Sequence, residues 1–129
     1  MKQNINWGII GLGNIALQFS EAFQDTKNSK LKAISSKNLN KMKIFQEKHN
    51  INKKYCFNEY EQLLKCDDID VVYIALPNSM HAEWIKKTIN SKKNTLVEKP
   101  AFINLQDAEE IKIKLIDSNL FFTEGFMYR

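Results

Sequence analysis

Cysteine, proline and histidine each occur only twice in this sequence, and glycine four times. Cys56 and Cys66 have neither zinc-ligand nor redox-motif spacing, so they read as plain reduced thiols of a cytoplasmic protein. Two prolines and four glycines leave little room for a flexible linker, and no repeat or low-complexity segment interrupts the chain. No apolar run approaches the ~20 residues of a membrane-spanning helix. The polar start, Met1 to Asn6, leads straight into an apolar segment and lacks the pattern of a signal peptide. Long basic runs are missing too. The net charge of +4 comes from scattered lysines, densest as the pairs Lys53-Lys54, Lys86-Lys87 and Lys92-Lys93. With no aromatic residues interleaved, these pairs describe a solvated surface and not a nucleic-acid track. An excess of lysine does favour an anionic small molecule.

What remains is a globular composition, 43% hydrophobic and 26% charged over 129 residues, enough for one domain, 1–129, with its own core. Short apolar runs alternate with amphipathic ones. Strands are predicted at Asn6 to Gly11, Leu31 to Ser35, Tyr55 to Phe57, Ile69 to Leu76, Thr95 to Val97 and Leu120 to Thr123. "IDVVYIAL" is the clearest, being rich in β-branched residues. Between them, helical spacing puts Ile15, Ala16, Phe19 and Phe23 on one inward face, then Met42 with Phe45, then Tyr60 with Leu63 and Leu64. Ala82, Ile85 and Ile89 follow, then Leu105, Ala108, Ile111 and Leu115. Ser36 or Asn38 is expected to cap the second helix, Asn58 with Glu61 to form a capping box for the third, and Asn104 to start the last.

Strict alternation of strand and helix implies an α/β fold, a doubly wound, mainly parallel six-stranded sheet with helices on both faces. The leading strand order is 3-2-1-4-5-6, the Rossmann arrangement, in which ligands bind beyond the carboxyl ends of the strands. The residues just after each strand therefore carry the functional reading.

After the first strand stands Gly11-Leu12-Gly13-Asn14-Ile15-Ala16. Gly11 allows a tight turn, Gly13 lets a pyrophosphate approach the backbone, and Ala16 lets the helix pack close to the sheet. The helix start offers free N–H groups to phosphate. Similar glycines occur in S-adenosylmethionine-binding methyltransferases. After the second strand stands Ser35-Ser36-Lys37-Asn38, with no carboxylate to hold the two ribose hydroxyls of NAD. Ser36 and Lys37 suit the 2′-phosphate of NADP instead, through a hydroxyl hydrogen bond and a cation, with NAD as the alternative. Leu76-Pro77-Asn78, with His81 beyond, follows the fourth strand, and Glu98-Lys99-Pro100 follows the fifth.

From Ala75 to Pro100 the chain, "ALPNSMHAEWIKKTINSKKNTLVEKP", resembles the N-terminal domain of the Gfo/Idh/MocA oxidoreductases. The closing Glu124-Gly125-Phe126-Met127-Tyr128-Arg129 resembles the E-A-F-M-Y-R segment of the branch that holds dihydrodiol and xylose dehydrogenases. The resemblance covers essentially the whole chain. It implies that Lys99, the lysine of E-K-P, lies near the nicotinamide and the reacting carbon as the catalytic residue. Asn78 and His81 would then lie along the cofactor near the nicotinamide ribose, Glu98 would shape the cofactor site, and Arg129 would approach cofactor or substrate. No metal site is expected. The E-K-P placement argues against a methyltransferase.

Members of that family continue into a second α/β domain that supplies a second catalytic group, most of the substrate pocket and the usual oligomer interface. No such domain follows Arg129 in this sequence. The expected function is therefore the cofactor domain of an oxidoreductase acting on a sugar, polyol or cyclic diol, binding cofactor with little turnover alone. The competing reading is a non-catalytic nucleotide sensor or partner-binding module.

Overall fold

The computed structural model describes residues 4–125. Strand β1 (Ile5–Ile10) is followed by α1 (Asn14–Glu21), β2 (Ser29–Ser35), α2 (Leu39–His49), β3 (Cys56–Phe57) and α3 (Tyr60–Leu64). Then come β4 (Val71–Ile74), α4 (His81–Asn90), β5 (Asn94–Val97), α5 (Leu105–Ile116) and β6 (Phe122–Glu124). All six strands are parallel, in the order β3-β2-β1-β4-β5-β6, as the alternation predicts.

Strand pleat divides the core. On β1, Ile9 joins one buried cluster and Ile10 the other; on β4, Tyr73 joins the first while Val72 and Ile74 join the second. The first cluster takes Ala16 of α1 with Met42 and Phe45 of α2. The second takes Leu63 of α3, Trp84, Ile85 and Ile89 of α4 and Ile111 of α5. Aromatic rings close the first layer: Phe19 lies 5.7 Å from Trp7, 5.6 Å from Phe23 and 4.2 Å from Tyr73, centroid to centroid.

Helix starts follow short polar side chains only in part. Asn38 caps α2, accepting from the Lys41 N–H at 3.1 Å, and Asn104 caps α5, accepting from Asp107 at 2.9 Å. Asn58 does not cap α3: that helix begins one residue later than the box requires, after Glu59, and has no side-chain cap. Two inward assignments also fail. Ile15 is 40% exposed and Leu105 72% exposed, because Ala16 and Ile111 set the buried faces of their helices and turn these positions outward.

The register places the last paired residues of the strands in one row: Phe57, Ser35, Ile10, Ile74, Val97 and Glu124. The chain turns sharply after Ile10. Gly11 adopts φ +92°, and a Cβ there would stand 2.5 Å from the Ala75 carbonyl oxygen. Gly11→Ala is accordingly expected to cost about 2–3 kcal/mol of stability, measured by urea unfolding of the two chains.

Candidate functional site

One residue beyond each strand end, the backbone still pairs. Ser36 N–H donates to the Phe57 carbonyl (3.2 Å), Gly11 to Ser35 (3.0 Å), Ala75 to Ile10 (2.9 Å), Glu98 to Ile74 (3.1 Å) and Gly125 to Val97 (2.7 Å). Ser36, Gly11, Ala75, Glu98 and Gly125 thus form a fixed row at the carboxyl edge of the sheet. The strand-end residues expected to act together are brought to one edge.

In the middle of that row the chain leaves β1 and enters α1. Leu12 is buried and anchors the turn. Gly13 is the N-cap of α1, and its carbonyl accepts from the Leu17 N–H at 3.0 Å. No side chain caps this helix, and no acidic residue lies in its first turn. The first-turn N–H groups, from exposed Asn14 and Ile15 onward, carry the positive end of the helix dipole. A Cβ on Gly13 would meet nothing within 4 Å. Packing within the chain does not require a glycine there, whereas a phosphate lying against the backbone does.

At the β2 side, Ser36 is buried and its hydroxyl oxygen accepts from the Asn38 N–H at 3.0 Å. Lys37 is exposed, but its ammonium already sits 3.0 Å from Glu59 and 5.3 Å from the centre of the Tyr60 ring. The hydrogen bond to Glu59 and then its charge hold the lysine above its ordinary range. An anion arriving here meets a cation that has a partner. Glu59 lies 22 positions away, and nothing local in the sequence announces it.

At the other side, Leu76 is buried while Pro77 and Asn78 are exposed on the turn before α4. His81 was expected along the cofactor and is instead 1% exposed beneath that turn. Its Nδ1 lies 2.7 Å from the Pro100 carbonyl oxygen and its Nε2 2.8 Å from the Leu76 carbonyl oxygen. Both ring nitrogens are spent on backbone, so the histidine ties the loop after β4 to the loop after β5.

That second loop carries Glu98 and Lys99, with a cis peptide between Lys99 and Pro100. The Tyr73 hydroxyl donates to the Glu98 carboxylate. Burial, and then the carboxylate beside it, hold this phenol protonated far above the usual range. Glu124 accepts from the Ala101 N–H at 2.6 Å. Lys99 itself is exposed at the lip of the row. Tyr73 and Glu124 escape sequence reasoning as site residues. One sits in the interior of a strand, and the other reads in the sequence only as part of a terminal motif. Arg129 lies outside the described residues.

Residues 5–126 match the model of the oxidoreductase family with an NAD-binding Rossmann fold, GFO_IDH_MocA. The chain is 39% identical over 109 residues to an oxidoreductase of Formosa agariphila, covering 84% of this chain and 33% of that protein. It is 33% identical over 125 residues to trans-1,2-dihydrobenzene-1,2-diol dehydrogenase of Xenopus tropicalis, covering 95% and 37%. The chain thus spans about a third of the length of these relatives. A 3-ketoreductase from Actinomadura kijaniata, solved with NADP and TDP-benzene, superposes with a TM-score of 0.87 at 30% identity, over 95% of this chain and 37% of that one. Apo scyllo-inositol dehydrogenase from Lactobacillus casei shares the fold, with a TM-score of 0.89 at 23% identity, over 96% and 37%. Among the described residues no helix is long and apolar enough to cross a membrane.

His81→Ala removes the buried ring that lies between the Leu76 and Pro100 carbonyl oxygens. It is expected to destabilise the chain by about 2–4 kcal/mol, read by urea unfolding, with faster amide exchange in the Asn78–Met80 turn.

Proposed function

The chain belongs to the Gfo/Idh/MocA oxidoreductase family as an NAD(P)-binding domain, and we propose that it serves an enzyme oxidising or reducing a sugar, polyol or cyclic diol, with NADP preferred. The observation that carries the cofactor reading is the space above Gly13 at the uncapped start of α1. A pyrophosphate there would take the first-turn N–H groups of Asn14 and Ile15. In this reading Ser36 and Lys37 would serve one ribose, and Asn78, Glu98 and Lys99 the other.

The absence of a carboxylate after β2 supports NADP, as does a lysine at position 37. The 2′-phosphate would compete with Glu59 for that lysine, and its higher charge favours the exchange. The 3-ketoreductase solved with NADP is consistent with this choice.

When bound, the dinucleotide supplies the hydride chemistry. The chain's own part is to hold it and to manage a proton. Lys99 would hydrogen-bond the substrate oxygen and stabilise charge that develops on it. Glu98, held by Tyr73, would keep the loop oriented beside the nicotinamide end. His81 contributes from beneath by holding the loop rather than by touching the cofactor. Lys99 at the lip favours an enzyme over a sensor. Cofactor binding is the activity expected of this stretch of chain. Two free cysteines fit a cytoplasmic setting.

Titration with NADPH and NADH, followed by nicotinamide fluorescence, tests this reading: micromolar binding with NADPH preferred is expected, and no binding to either would overturn it. Gly13→Val is expected to keep its circular dichroism spectrum yet weaken binding by about 100-fold or more, equivalent to about 3 kcal/mol. Lys37→Asp is expected to narrow the preference for NADPH several-fold. Lys99→Ala is expected to leave both affinities nearly unchanged.

A further inference from the structure

Helix α5 commits one side to the domain and leaves a second apolar side uncovered among the described residues. Ile111 is buried in the core. Asp107 and Glu110 both hold Lys86 of α4, and Lys114 reaches Asn90 at its end. Facing away are Leu105, Ile113 and Ile116, exposed by 72, 70 and 67%. With Glu109 and Lys112 they occupy positions i, i+4, i+7, i+8 and i+11, a single helical stripe. Among the described residues, neither Glu109 nor Lys112 has an ion-pair partner.

The order along this stripe is self-complementary. If a second α5 lies antiparallel on the first, the register that sets Leu105 opposite Ile116 also sets Glu109 opposite Lys112, and does so twice. Both pairings share one centre, between Glu110 and Ile111. A parallel pairing would oppose glutamate to glutamate. Antiparallel packing also opposes the two helix dipoles favourably, and a repeated patch that meets itself closes as a two-fold dimer.

We propose that a second copy of this chain covers the α5 stripe, in an antiparallel α5–α5 dimer. The contact is one twelve-residue helix against another. That falls below the area of about 1,200 Å² at which stable interfaces begin, so a reversible dimer with a dissociation constant on the order of 100 µM is expected.

Sedimentation equilibrium of the 129-residue chain, with and without charge reversal, tests the proposal. Glu109→Lys alone or Lys112→Glu alone sets like charges opposite each other at both symmetric positions. Each is expected to weaken the dimer roughly tenfold. The double variant E109K/K112E restores both pairs and is expected to return to the unmodified affinity. Dilution of the isotope-labelled, unmodified chain supplies a reading that does not depend on variant folding. Amide shifts should move with concentration along Leu105 to Ile116. A chain that remains monomeric to about 1 mM, or a dimer indifferent to all three reversals, overturns the proposal.

Discussion

The carboxyl edge of this sheet depends on how closely the backbone of Gly11 passes the Ala75 carbonyl. A Cβ at that point would stand 2.5 Å from the oxygen, in a conformation that side chains rarely adopt. Because the residue is glycine, β1 and β4 stay hydrogen-bonded to their last residues, and α1 starts directly above the crevice between them. The two glycines of the motif thus differ: packing within the chain requires the first, and nothing in that packing requires the second.

A second constraint joins the halves of the site. Tyr73 lies on β4 with its ring against Phe19 of α1 and its hydroxyl on Glu98 after β5. One side chain therefore touches both the helix that follows the glycine turn and the loop that carries Lys99. His81 makes a parallel connection on the other face of the sheet, between the loops after β4 and β5. The lip of the crevice is exposed, but its supports are buried. This is how an open edge keeps a defined shape before anything binds.

Much of the fold is legible in the sequence because it rests on local chemistry. β-Branched runs mark β4, paired glycines mark the turn after β1, and prolines mark the loops after β4 and β5. Strict alternation then leaves few topologies, and the strand order follows. What escapes is set by distance. Periodicity places Leu105 and Ile111 on one helix but cannot say which of its sides meets α4. Lys37 reads as a free cation until Glu59 arrives from 22 residues away. His81 has the same letter whether it contacts a ligand or two carbonyls, and only burial separates the cases. Tyr73 is hidden for the opposite reason: inside an apolar strand it looks like ordinary core.

Glu124 gives the edge strand β6 a reach beyond its three residues. Its carboxylate takes the Ala101 N–H, two positions past Lys99, while Gly125 still donates to Val97. The exit of the chain from the sheet is thereby fastened to the lysine loop by one short polar contact. Edge strand and loop therefore share a hydrogen bond outside the sheet ladder. A change in the position of β6 would be felt at that loop through the Ala101 contact.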